Sequence, residues 1–282
     1  MDFTVFTQLF NKIDQITKTY VTDISSKTIA TITPFVSIGI TIAFIIYGWL
    51  IIRGAIDMPL SGFVNRFLRV SIITSIALTT GLYQNEIANL ITQMPYELSK
   101  ALITNPLNDT QLMNLLDKAA TKGFQYAGRL FQETVFFEAN GLLYSLLGII
   151  ILLATSLVVA IGGGLVLLTK IAITLLVGWG PLFIIALLWQ PTHRLFEQWT
   201  IQVVNHIILF LLLATVFNLM MNIFANYLSD MKLDYNQNIS FMFGGALILS
   251  IISIMLLLKL SSVANSLAKG ITFGHLWRHK TR

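Results

Sequence analysis

The chain has 282 residues, of which 55% are hydrophobic and 11% charged, with a mean hydropathy of +0.76 and a formal net charge of +5. Soluble domains carry about 25% charged residues, so a water-solvated globule is excluded and lipid is the solvent for most of this chain. There are no cysteines, which excludes a disulfide framework, a thiolate metal site and a thiol nucleophile.

Backbone at membrane depth must be helical or closed into a barrel. Barrel strands alternate apolar and polar residues over about 10 positions; runs such as Ile149–Val159 do not alternate. The fold class is therefore all-α: a polytopic helical membrane protein.

Residues 1–33 form an N-terminal amphipathic helix. Phe3, Phe6, Phe10, Ile13, Tyr20 and Ile24 fall on the a and d positions of a heptad, and Leu9 and Ile16 widen the stripe. The face that begins with Phe3, Phe6, Phe10 and Ile13 suits either the membrane surface or helix–helix assembly with a neighbouring copy or partner. The segment has no signal-peptide core, and the first hydrophobic run, Phe35–Ile52, reads as an uncleaved insertion signal.

Residues 34–83 hold two spans. The first starts after Pro34, a residue suited to a first helical turn, and its Gly39 and Ala43 form a small-xxx-small pair that admits another helix. Arg53, Arg66 and Arg69 cluster around a short loop holding Asp57, and a weaker second span follows at about Phe67–Tyr83. Residues 84–139 are the one large polar region, with four basic and six acidic side chains. They suggest amphipathic helices broken near Pro95 and Asn105-Pro106.

The C-terminal membrane region covers 140–260. From Gly141 to Trp189 the only charge is Lys170. The glycine triplet Gly162–Gly164 weakens a helix by about 1 kcal/mol per residue, marking a bend, a break or a tight crossing. Gly178-Trp179-Gly180-Pro181 is a second breaker. Thr200–Leu228 and Ile239–Leu260 are further spans, and 261–282 is a basic tail.

Charge sets the topology. Short loops rich in Lys and Arg face the cytoplasm, which places Arg53, Arg66, Arg69 and the tail inside, and residues 1–33 and 84–139 in the periplasm. Six full spans would return the basic tail to the outside. Five spans, with the broken Ile171–Trp189 re-entrant, keep it in the cytoplasm. Both topologies stay open, with the re-entrant one preferred.

No span contains Asp or Glu, which counts against proton-coupled carriers. There is no phosphate-binding loop, no H-E-x-x-H and no G-x-S-x-G. His275 and His279 lie four residues apart without further ligands. Catalytic, cofactor and metal sites are all assigned as none. Lys170 reads either as a site for an anionic group or subunit, or as a lysine at a turn reaching the interface. Gln202 and Asn205, joined by His206, and Asn218, Asn222 and Asn226 form two polar stripes, suited to helix packing or to a pore face.

The segment Gly180-Pro181-Leu182-Phe183-Ile184, followed by Pro191-Thr192-His193-Arg194-Leu195-Phe196 and Trp199, resembles the central signature of the TrbL-type polytopic subunits of bacterial type IV secretion systems (the sixth VirB product). In that family a GPLF-like turn precedes a short loop of T-x-x-x-F-x-x-W character. The resemblance covers most of the chain in organisation and about Gly178–Trp199 in motif. It implies an inner-membrane component of a secretion or conjugation channel, supporting pilus biogenesis and translocation of DNA or protein, without enzymatic activity. The partners it implies are the pilin, a minor pilin-like tip protein, secretion ATPases and a bitopic nucleating subunit. Further copies of the chain, and transient contact with transferred DNA or protein, also fit. Gly180, Pro181, Thr192, Arg194, Phe196 and Trp199 are the implied structural motif: Gly180-Pro181 sets the break, Phe196 and Trp199 anchor at the interface, and Arg194 pins the cytoplasmic side. A small-solute transporter is the alternative, although no inverted repeat relates the two halves.

Overall fold

A computed structural model describes residues 3–54, 60–102, 109–132, 141–230 and 239–270. The Asp57 loop, the Asn105-Pro106 break, residues 231–238 and the tail from Ile271, with its two histidines, lie outside the described residues. All regular structure among the described residues is helical. In chain order the helices are α1 (Val5–Ile52), α2 (Leu60–Leu78), the single turn α3 (Thr80–Leu82), a π-helical turn (Tyr83–Ala88), α4 (Asn89–Leu102) and α5 (Asp109–Gln132). Then come α6 (Gly141–Gly178), α7 (Gly180–Ile185), two 3₁₀ turns (Ala186–Leu188 and Gln190–Thr192), α8 (His193–Asp230) and α9 (Ile239–Lys269). Among the described residues, four helical stretches are long and apolar enough to cross a membrane: Val5–Ile52, Tyr144–Gly178, Gln190–Met220 and Leu247–Lys269.

Four boundaries differ from the sequence-based expectation; one is Pro95, which lies inside the continuous α4 and does not break it, and the other three are larger. Residues 5–52 form one helix with Pro34 inside it, so Pro34 does not start a new element. Proline forfeits only the one backbone bond to the carbonyl four residues before it, and proline is tolerated within membrane helices. Secondly, α6 runs without interruption through Gly162–Gly164 and on to Gly178, so residues 171–178 extend the third span. Thirdly, α9 continues to Lys269, past the expected end at Leu260.

The chain divides into two compact units. Of the described residues, the first takes those within Met1–Gln15, Pro95–Lys170 and Asn205–Gly270, and the second those within Ile16–Met94 and Ile171–Val204.

The first unit has an apolar core of Phe10, Met113, Leu116, Val158, Val166, Phe210, Leu213, Phe217 and Leu257. Small residues let its helices approach closely. A methyl group at Gly162 would collide with the Phe217 ring, one at Gly163 with Phe6, and one at Gly123 with Thr155. The glycine triplet is therefore a crossing point, the third of the readings open from sequence. A second cluster gathers Tyr126, Ala127, Leu130, Leu147 and Ile151. Burial pushes the Tyr126 hydroxyl up to about 12, so it remains a neutral phenol at physiological pH.

In the second unit, the polar turn before α4 is tied to α1. Gln84 Nε2 donates to the Thr22 carbonyl at 3.0 Å and to the Ser25 and Ser26 hydroxyls at 2.9 Å each. The C-terminal part of α1 exposes Phe35, Ile38, Ile42, Ile45 and Trp49. Such a continuous apolar face suits a lipid environment.

Candidate assembly site at the helix break

Helix α6 ends at Gly178, and the reason lies three residues on. Pro181 has no N–H to give the carbonyl of Val177, and its ring clashes with that carbonyl in a continuing helix. Any helix end leaves its last carbonyls without intrahelical donors. At membrane depth each such group costs several kcal/mol unless the protein supplies a partner.

The second unit supplies those partners. Trp179 N–H donates to the Leu175 carbonyl at 3.2 Å. The Trp199 indole Nε1–H donates to the Leu176 carbonyl at 2.9 Å. The Tyr83 hydroxyl donates to the Val177 carbonyl. Three successive carbonyls at the break are thus satisfied, two of them by side chains from distant parts of the sequence.

Both donors are buried: Tyr83 is 0% and Trp199 6% exposed. Gly180 is required beneath them, because a Cβ there would strike the Tyr83 hydroxyl and the Trp199 ring. Phe183 stacks on Trp199 with centroids 6.0 Å apart and planes 13° apart, and Phe196 meets the same ring at 5.7 Å. Thr192 closes the knot: its hydroxyl donates to the carbonyls of Ala186 at 2.8 Å and Trp189 at 3.1 Å. Arg194 is exposed, and its neighbour His193 lies 3.3 Å from Glu197.

Five of the six motif residues therefore converge on one construction, and Arg194 stands at its surface. Gly180-Pro181 forms the break as expected from sequence. Trp199 differs from the expected interfacial anchor: it is an interior cap on α6. Its indole has one N–H to place, and burial next to a helix end places it on a carbonyl.

The N-terminal face also has a different use. Phe3, Phe6 and Phe10 pack into the core of the first unit, with Phe3 edge-on to Phe124 at 5.4 Å, while Ile13 is half-buried. The face that could have met a neighbouring copy is occupied by the chain itself. Asp117, only 5% exposed, fixes this arrangement. Its carboxylate accepts the backbone N–H groups of Phe6 at 3.0 Å and Thr7 at 2.9 Å, and the Thr7 hydroxyl at 2.6 Å. A negative group at the first turn of α1 satisfies orphan donors and complements the helix dipole.

Lys170 lies within unbroken α6, not at a turn. Its ammonium contacts Asp14 Oδ1 at 2.6 Å and sits 3.8 Å from the Phe10 ring centroid. The anionic group that it meets is thus supplied by the same chain. Asn222 Nδ2 donates to Asn218 Oδ1 and to its carbonyl, both at 2.9 Å, on an exposed face. Gln202 and Asn226 are exposed and Asn205 is half-buried.

Sequence reasoning missed Tyr83, Asp14 and Asp117. Tyr83 was legible only as the end of a weak span. Asp117 was one acidic residue among several in a polar region, and nothing local marks it as the cap of a helix more than a hundred positions away. Asp14 carried one available signal: a single intramembrane-type lysine calls for an anion.

These features define a class: a polytopic helical membrane protein built around a capped break between two long apolar helices. Comparison with known proteins narrows the class. The sequence model of the TrbL/VirB6 plasmid conjugal transfer protein family matches residues 40–260, and the chain belongs to that family. It is 27% identical over 222 residues to proteins of Brucella abortus and Brucella suis named type IV secretion system protein VirB6, covering 76% of this chain. The chain spans 63% of the length of those relatives. A protein of the same name from Bartonella henselae is 23% identical over 254 residues, which is 88% of this chain and 76% of that protein.

Proposed function

We propose that the chain is an inner-membrane channel or assembly component of a type IV secretion (conjugation) system, supporting pilus biogenesis and translocation of DNA or protein. The observation that carries this reading is the family match over residues 40–260, which contains the whole capped break. The relatives' printed name supplies the secretion assignment. The reading also includes homo-oligomers and the partners named above: pilin, minor pilin-like tip protein, secretion ATPases and bitopic nucleating subunit. It assigns no catalytic step.

The proposed topology has a periplasmic N-terminus and either five crossings, with the broken segment up to Trp189 re-entrant, or six. Leu195→Cys, Asp234→Cys and His279→Cys, introduced singly and treated with an impermeant thiol reagent in intact cells, test it. Labelling at position 234 alone is expected; labelling at 279 from outside would overturn the five-crossing arrangement.

The functional test is complementation of a strain deleted for this chain. The wild-type protein restores pilus formation and substrate transfer, whereas Trp199→Ala, at equal membrane abundance, restores neither and no longer co-purifies with secretion components. Full transfer by Trp199→Ala would remove the break from the assembly role. A purified monomer that moves a small solute into vesicles would favour the transporter alternative instead.

A further inference from the structure

The second unit holds a half-open cavity of about 100 Å³, lined by Ile40, Ala43, Phe44 and Tyr47 of α1, Arg66 and Val70 of α2, and Leu188 and Trp189 after α7. Its shape follows from small residues. A methyl group on Gly39 would stand 3.0 Å from the Trp189 ring, so the indole lies flush against α1, and Ala43 one turn on leaves the space empty.

Its chemistry is amphipathic. One end is aliphatic and aromatic. At the other, the Arg66 guanidinium sits 4.7 Å from the Tyr47 ring centroid. Arg69, one turn along the same face of α2, reaches the Leu187 carbonyl at 3.5 Å. Arg53, at the end of α1, lies 4.0 Å over Trp49. Among the described residues Arg66 meets no carboxylate; the aromatic face is its contact. Guanidinium groups match phosphate through paired N–H donors.

The cavity also stands at the right level. Tyr47 is five residues from the end of α1 and Arg66 six from the start of α2, about 8–9 Å along each helix. The polar headgroup zone is about 5–7 Å deep on each side. Tyrosine, tryptophan and arginine together mark that boundary.

We propose that this cavity is a specific site for an anionic phospholipid, with the phosphate on Arg66 and Arg69 and one acyl chain in the groove between Ala43, Val70 and Trp189. Charge complementarity selects the headgroup, and the aliphatic lining selects a lipid over a soluble phosphate. The site shares Trp189 with the knot but none of the side chains that cap α6, and it does not depend on the secretion assignment.

Native mass spectrometry of the full detergent-solubilised chain tests the proposal, with dioleoylphosphatidylglycerol against dioleoylphosphatidylcholine as probes. Wild-type protein retains one phosphatidylglycerol in preference to phosphatidylcholine. Each basic side chain near a membrane surface contributes about a fivefold preference for anionic lipid. Arg66→Gln therefore lowers the preference about fivefold, while Arg66→Lys keeps most of it. Ala43→Phe fills the groove and abolishes the retained lipid with all three arginines intact. Lys12→Gln, an equal change in net charge on an exposed residue elsewhere, leaves the preference unchanged. Equal retention of the two lipids by the wild type overturns the proposal. So does an equal loss in Lys12→Gln, which would mean binding to net charge. Displacement by millimolar glycerol phosphate would assign the arginines to a soluble phosphate and overturns it as well.

Discussion

Two glycine clusters bear on helix α6, one inside it and one at its end, and they have opposite outcomes. Gly162–Gly164 lies in its interior, where the helix continues unbroken, while Gly178 and Gly180 bracket its end. Both clusters cost about the same in helix propensity, roughly 1 kcal/mol per glycine. Propensity therefore does not decide between them. At the first cluster, Phe217 and Phe6 rest where side chains would be, and the contact offsets the weakness of the backbone. At the second, Pro181 denies the Val177 carbonyl its donor, and Tyr83 and Trp199 take the released carbonyls. A glycine cluster is a break only where a proline or an external donor competes for the helix hydrogen bonds.

This contrast can be broken from either side. The largest effect is expected for Gly180→Val. Its side chain would displace both carbonyl donors, combining overpacking with two unsatisfied buried groups, for a loss of about 4 kcal/mol. Thermal unfolding of the purified chain in detergent would show it; an unchanged midpoint would mean that the caps are not needed. Gly163→Leu comes next. It should cost about 3 kcal/mol by expelling Phe6 from the core, while helix content by circular dichroism stays constant. A drop in helix content would mean that the triplet is a hinge after all. Trp199→Phe keeps the aromatic stacking and removes only the indole donor. One buried carbonyl then lacks a partner, a loss of about 2 kcal/mol, and Tyr83→Phe should match it in the same assay. The smallest effect sharpens the comparison within the triplet itself. Gly164 has nothing within 4 Å of an added Cβ, so Gly164→Ala should raise stability by up to about 1 kcal/mol. Destabilisation there would show a packing role for all three glycines.

The two ends of the N-terminal segment teach a related lesson. Its heptad stripe was legible, and Phe3, Phe6 and Phe10 do act as one face. What they pack against was not legible. An apolar stripe has a direction but no address, and membrane surface, neighbouring copy and the chain's own core all fit the same periodicity. Asp117 and the Asp14–Lys170 pair settle the matter through contacts more than a hundred positions apart in sequence.

The motif residues behaved similarly. Gly180, Pro181, Thr192, Phe196 and Trp199 could be picked out before any coordinates, because a breaker followed by a polar knot inside an apolar run is visible locally. The role of Trp199 was not, since its partner is the carbonyl of Leu176, freed by the break and 23 positions back along the chain. The spacing of the α8 asparagines suggested helix packing or a pore face, and within the chain Asn222 donates to Asn218 one turn away on the same exposed face.

Composition by itself determined the solvent, the helical class and the absence of thiol chemistry, because lipid forbids unsatisfied backbone and 11% charge cannot coat a soluble protein of this size. Local pattern picked out the break at Gly178–Pro181, where glycine and proline act together, while Pro34 and Pro95 stay inside continuous helices. Only the tertiary structure decided which glycines are crossings, which aromatic is a cap and which acid answers the lone lysine. Those choices depend on what lies across the packed interface, and a sequence specifies that surface only after it has folded.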